Sequence, residues 1–194
     1  MRSFSPEFEQ LKMPPIVAVS EMVRQREEEF LARTGEKLVH FERGDVDFET
    51  PVYSSRALTE AVEQGNTRYP RPGGILEFKQ AVMRKMCDYN GVEGLSADNI
   101  VCTNGSQEAL GLCLQLFRGG RGAGFTPCWS CVLGTLTPFY GINFTQIPLA
   151  GDFSIDFRQI EDVLARVDFF YFNNPGNPTG RVFNGEEVSK LSEL

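Results

Sequence analysis

Apolar residues along this chain recur with two different periods, and the alternation between them predicts its architecture. From 16 to 33 the positions Ile16, Val19, Val23, Phe30 and Leu31 follow one helical face. Gly35 is a natural stop, and Glu27, Glu28 and Glu29 fall on the solvated side. The preceding stretch, 1–15, holds prolines and no such period, which predicts an irregular arm. A short strand is expected at 38–41, leading into a loop at Gly44. Helices follow at 54–64 and 75–89, then a strand at 99–103 and a helix at 106–117. Strand, helix and strand are expected at 124–126, 130–139 and 143–147, and a helix at 156–166 runs into the apolar strand 167–172. Val188, Leu191 and Leu194 mark a last helical pattern. Strands and helices alternating at these lengths predict a mainly parallel α/β sheet flanked by helices.

Composition changes the picture mostly by exclusion. A chain of 194 residues can bury one ordinary core, and 41% hydrophobic and 11% aromatic content are those of a globular protein. A net charge of −7 leaves no basic stripe on which a nucleic acid would release its counterions. The first ten residues are polar and acidic, without the apolar centre of a secretory signal, and no apolar run approaches the length of a membrane span. A cytoplasmic setting is therefore expected. Five cysteines, an odd number without framework spacing, read as reduced thiols. Cys128 and Cys131 form a C-x-x-C, but His40 is the one histidine and no second pair exists, so no metal site is expected. Gly119-Gly120-Arg121-Gly122-Ala123-Gly124 precedes a strand and lacks a following Gly-Lys, so it reads as a turn rather than a phosphate loop.

The most specific stretch follows the 167–172 strand: Phe172-Asn173-Asn174-Pro175-Gly176-Asn177-Pro178-Thr179-Gly180. Two prolines fix φ and two glycines release it, so the turn holds Asn177 rigidly where open α/β sheets bind ligands. The run resembles the N-P-x-N-P-T-G signature of the class I/II aminotransferases, pyridoxal-phosphate (PLP) enzymes of fold type I. Four further segments resemble the family in the same order. Gly44-Asp45-Val46-Asp47-Phe48-Glu49-Thr50-Pro51 is similar to G-x-P-D-F-x-T-P, with Val46 in place of proline. Tyr69 to Lys79 is similar to Y-x-x-x-x-G-x-x-x-L-R, with Phe78 and Lys79 at its end. Ile100 to Leu110 looks like the strand, glycine turn and helix that hold the cofactor phosphate, and Pro127-Cys128-Trp129-Ser130-Cys131 matches P-x-W-x-x-Y with Cys131 in place of the aromatic.

The resemblance implies the N-terminal portion of the fold type I large domain, a partial, mainly parallel sheet flanked by helices and preceded by a helical arm. It divides the chain into an arm and small-domain segment at 1–50 and the first part of the PLP-binding domain at 51–194. It implies amino-group transfer between an amino acid and a 2-oxo acid by a homodimer. Gly105, Ser106 and Gln107 would hold the phosphate, a role that amides at a helix start can fill. Trp129 would stack on the ring, Asn177 would donate to the phenolic oxygen, and Tyr69 would reach the phosphate of a neighbouring subunit. Gly44 and Asn177 would contact the substrate carboxylate. Each has a plainer alternative: a helix capped by Asn104 or Ser106, a core tryptophan, a packed surface tyrosine. The resemblance also implies cis peptides at Asn177-Pro178 and Thr126-Pro127. The Schiff-base lysine of the family lies well beyond the N-P-T-G turn, and Lys190 falls within a helical pattern close to it, so no catalytic residue is expected among these 194. The alternatives are a lyase or synthase of the same fold, similar to aminocyclopropane-carboxylate synthase, and a non-catalytic fragment or pseudoenzyme.

Overall fold

A computed structural model of the chain describes residues 6–9, 11, 13, 15–42, 44–46 and 48–194. It divides into two compact units, one of residues 1–44 and 111–194, the other of residues 45–110.

The first unit carries the sheet. Its N-terminal part has a helical turn, α1 (Pro6–Glu9), where an irregular arm was expected, and a long helix, α2 (Pro15–Thr34). Most of the remaining arm, with Arg43 and Asp47, lies outside the described residues. Gly35 ends α2 with φ +73° while its N–H reaches the Leu31 carbonyl at 2.8 Å, the left-handed exit that glycine permits. The strand expected at 38–41 does not form: the segment joins no sheet among the described residues, and Val39 and Phe41 are exposed. It is fastened by a side chain instead. His40 places Nδ1 at 2.9 Å from Glu42 and Nε2 at 3.1 Å from Glu27 on α2, so Glu27 is not simply solvated.

Strands β1 (Arg121–Thr126), β2 (Asn143–Pro148) and β3 (Phe169–Tyr171) form a parallel sheet in the order β2-β1-β3. All three lie where the pattern put them, but β1 begins at Arg121, ahead of the expected 124, and β3 is shorter than expected. Between β1 and β2, the expected helix contains a π-helical stretch at Val132–Leu136 before α6 (Thr137–Phe139). Helix α7 (Phe157–Leu164) begins at Asp156, whose carboxylate accepts the Arg158 N–H, and α8 (Gly185–Glu193) begins with a reciprocal cap between Asn184 and Glu187.

Period-two alternation divides the sheet's faces. Ala123 and Phe125 of β1, with Ile147 of β2, join Ile160 of α7 and Phe183 in the core. Gly122 and Gly124 open the other face. A Cβ on Gly122 would stand 2.3 Å from Cζ of Phe169, and one on Gly124 would stand 2.9 Å from Cζ of Phe144. The glycines thus admit rings from both neighbouring strands, and Phe144 and Phe169 sit 6.3 Å apart between centroids. Of the run at 119–124, Gly119 and Gly120 form the turn entering β1, whereas Arg121 to Gly124, also expected in the turn, belong to the strand.

The second unit is helical: α3 (Val52–Glu63), α4 (Leu76–Arg84) extended by a π-helical turn at Lys85–Tyr89, a 3-10 helix at Ala97–Asn99 and the first turns of α5 (Gly105–Gln115). The strand expected at 99–103 is absent. Ile100 is extended, yet the Cys102 N–H bonds only to the Gly73 carbonyl, at 2.9 Å, and Val101 is exposed. Gly74 has φ +107°, and a Cβ there would meet Cys102 Sγ at 2.4 Å, so that close approach demands glycine twice over. Among the described residues of this unit none is buried.

Candidate active site

The C-terminal ends of β1 and β3 carry the segments singled out from the sequence. Thr126, last in β1, is joined to Pro127 by a cis peptide, and Cys128 and Trp129 follow before the chain turns helical. Tyr171, last in β3, leads through Phe172 and Asn173 into the turn. Pro127, Cys128, Tyr171, Asn173, Asn177 and Thr179 line one cavity at this end of the sheet. Burial pushes the Cys128 thiol above its ordinary range, and burial first, then Cys128, does the same to Tyr171. Both are therefore neutral at physiological pH, and Cys128 is no reactive thiolate.

The turn is built almost without backbone ladder bonds, because Pro175 and Pro178 have no N–H to give. Asn177-Pro178 is cis as expected, and Asn174-Pro175 is cis as well. Asn174 pairs with Phe183 as a strand neighbour would: its Nδ2 donates to the Phe183 carbonyl at 3.3 Å, and its Oδ1 accepts the Phe183 N–H at 3.0 Å. Gly180 takes φ +68°, but Gly176 does not have positive φ; there a Cβ would collide with Thr179 Oγ1 at 2.7 Å. The segment leaving the turn ends in Phe183, 5% exposed, which packs against Phe125 and Phe172 with centroids 5.7 and 5.3 Å away. Arg181 binds Glu187 of α8 through bonds of 2.8 and 3.1 Å, tying the turn's exit to the last helix. Asn177 stands exposed at the tip, with its N–H bonded to Asn173 Oδ1 at 3.0 Å. Its carboxamide has no protein partner among the described residues. Trp129 is half-buried and stacks on no aromatic ring there.

In the second unit Gly105 opens α5 with φ +79° and open space where a Cβ would stand. Neither Asn104 nor Ser106 caps this helix with its side chain among the described residues. Glu108 reaches back instead to the Asn104 N–H, and the Thr103 hydroxyl donates to the Gly105 carbonyl at 2.9 Å. The Ser106 and Gln107 amides belong to the first turn, where helical N–H groups lack intrahelical acceptors. Tyr69 is fully exposed, at 102% of its reference area, and is not a packed surface residue. Gly44, at the boundary of the first unit, is exposed next to an Asp45 whose carboxylate accepts the Val46 N–H at 2.8 Å. Lys190 on α8 lies over the Phe157 ring, 4.3 Å from its centroid, and so covers the core rather than facing the turn.

Sequence reasoning passed over Asn173, Asn174, Arg181 and Glu108, the residues that shape these loops. The doubled asparagine before Pro175 was the available signal, since asparagine side chains often bond turn backbones.

A cis-proline turn carrying an unpartnered asparagine at a parallel sheet's C-terminal end, with a tryptophan after the neighbouring strand, marks one class of protein. The profile of the aminotransferase class I and II family matches residues 36–194, and the chain belongs to that family. It is 28% identical over 198 aligned positions to the aspartate/prephenate aminotransferase of Thermus thermophilus, covering 100% of this chain and 50% of that enzyme. It is 25% identical over 169 positions to the aspartate aminotransferase of Thermotoga maritima, covering 84% of this chain and 44% of the other. Among solved structures, the Thermus thermophilus aspartate aminotransferase with maleate superposes with a TM-score of 0.87 at 27% identity, over 100% of this chain and 50% of that one. The chain thus spans about half the length of the curated relatives it matches. No helix among the described residues is long and apolar enough to cross a membrane.

Proposed function

We propose that this chain is the cofactor-binding front part of a PLP-dependent aminotransferase, moving an amino group between an amino acid and a 2-oxo acid. The observation that carries the reading is Asn177: an exposed, unpartnered carboxamide at the C-terminal end of β3, fixed by a turn whose sequence resembles the family signature. Bound PLP supplies an electron sink that stabilises charge at the amino acid's α-carbon. The residues present fit such a group. Amides of Ser106 and Gln107 offer anion donors reinforced by the dipole of α5, and Gly105, whose own N–H goes to the Thr103 carbonyl at 2.9 Å, shapes the turn that presents them. Trp129, unstacked, offers a π face for the ring. Asn177 donates to the phenolic oxygen and favours its anionic form, because a donor stabilises charge at the atom it faces. The backbone of Gly44, together with Asn177, receives the substrate carboxylate. Tyr69, without protein contacts of its own, extends toward the cofactor phosphate of a second copy in a homodimer.

In this reading 1–50 is the arm and small-domain segment and 51–194 the first part of the cofactor domain, while the Schiff-base lysine comes from outside these residues. The relatives' names make aspartate the first donor to test, and a cytoplasmic location accords with the composition. The cofactor assignment is tested by adding PLP to the purified chain and following quenching of Trp129, its one tryptophan. Saturable quenching is expected, with Asn177→Ala binding about tenfold more weakly or worse, the value of a hydrogen bond to a charged group. Absence of saturable binding, or an Asn177→Ala variant equal to the parent, overturns the reading.

A further inference from the structure

We propose that Asn173 is a positioning residue for Asn177, fixing the orientation in which that side chain meets the cofactor; the inference rests on the cofactor reading above. The Asn177 N–H ends 3.0 Å from Asn173 Oδ1. A backbone N–H can only donate, so the carboxamide oxygen, not its nitrogen, must face it. Nothing else holds Asn177. Its neighbours in the turn, Pro175 and Pro178, have no N–H, and no other hydrogen bond of Asn177 exists among the described residues. The other bonds of the turn bypass it: Gly176 N–H to the Arg181 carbonyl at 2.8 Å, Gly180 N–H to the Gly176 carbonyl at 2.7 Å, and Asn174 to Phe183. The Gly180–Gly176 bond closes the loop around the tip without touching Asn177; Asn173 is the residue that bonds Asn177 itself, and it lines the same cavity.

Asn173 is itself well anchored. It follows directly on Phe172, which packs 5.3 Å from Phe183, so its backbone is tied to the aromatic core. The bond therefore carries the rigidity of the core to the backbone of Asn177, from which an exposed side chain must present one donor in one direction. Loss of such a bond lets Asn177 sample rotations in which its amide misses the phenolic oxygen, while the fold, held by Asn174 and Phe183, persists.

The test compares the parent with Asn173→Ala, which removes the acceptor, and Asn173→Asp, which keeps one. Hydrogen exchange at the Asn177 amide, followed by NMR, needs no ligand: exchange in Asn173→Ala is expected to quicken at least fivefold, and Asn173→Asp to restore protection. With PLP added, Asn173→Ala is expected to bind about fivefold more weakly, the worth of one ordinary hydrogen bond. The ionisation of the bound phenol, read from its absorption spectrum against pH, is expected to move upward, a change that a merely structural role would not produce. If the alanine variant does not fold, Asn173→Ser, too short to reach the amide, replaces it. Unchanged exchange at Asn177, or an unchanged phenol ionisation in a variant that binds PLP, overturns the inference. A parent chain that takes no PLP overturns the cofactor reading, and the exchange measurement then still decides whether Asn173 holds Asn177.

Discussion

Replacing Gly122 by alanine tests whether the glycines of β1 exist to admit the rings of neighbouring strands. The new Cβ would lie 2.3, 2.7 and 2.8 Å from three atoms at the edge of the Phe169 ring, against an optimum of about 3.5–4.0 Å for carbon contacts. The ring must therefore retreat by roughly 1 Å. It is hemmed in by Phe117, 5.0 Å away between centroids, and by Phe144 at 6.3 Å. Overpacking of a filled site costs about 1–3 kcal/mol. Alanine offsets part of this, because a strand glycine loses roughly 0.5–1 kcal/mol more entropy on folding. A net loss of about 1–2 kcal/mol is expected. Urea unfolding followed at Trp129 reports it as a lower midpoint with an unchanged slope. Adding Phe169→Leu to the variant should recover part of the loss, since residues in contact couple non-additively. Gly134→Ala is the control: no atom lies within 4 Å of its Cβ position and its φ is not positive, so a gain of about 0.4–1 kcal/mol is expected. A Gly122→Ala chain as stable as the parent, or a double variant whose effects simply add, would refute the reasoning.

His40 should titrate above its ordinary value of 6.5, raised first by its bond to Glu42 and then by that to Glu27. A neutral imidazole donates from one nitrogen only, so two carboxylate partners favour the imidazolium. The raised value gives the sign: stability from this contact is complete below the unfolded value and is lost as pH rises through the folded one. Its single imidazole resonance makes NMR titration direct; Glu42→Gln should lower the midpoint more than Glu27→Gln, and a parent midpoint at or below 6.5 contradicts the claim. Asn184→Ala removes the acceptor of the Glu187 N–H at 2.9 Å, where the Glu187 carboxylate also takes the Asn184 N–H at 2.8 Å. A loss of about 1 kcal/mol is expected in urea unfolding; no change would mean that Arg181, not the cap, secures the start of α8.

Local features were legible because their causes are local. The apolar stripe of α2, its stop at Gly35 and the alternation of β1, α7 and β3 depend on periods and turn chemistry written into neighbouring residues. So do the N-P-T-G turn and the cis peptides at Thr126-Pro127 and Asn177-Pro178, while Asn174-Pro175 was passed over. Strand pairing is different. The segments at 38–41 and 99–103 have the apolar content of strands, yet a strand exists only when a neighbour supplies its ladder bonds, and none of the described residues does so. Gly122 looks in the sequence like part of a flexible turn; the structure makes it a strand residue whose missing Cβ is occupied by a ring from 47 residues further along. Glu27 reads as one of three solvated acids until His40, folded back from beyond Gly35, selects it. Asn173 reads as turn punctuation until its oxygen meets Asn177. Residue type and spacing determined which segments are rigid and which residues carry chemistry. Tertiary contact decided which glycine is space, which acid is paired and which asparagine holds the other, because those facts depend on what the folded chain brings alongside.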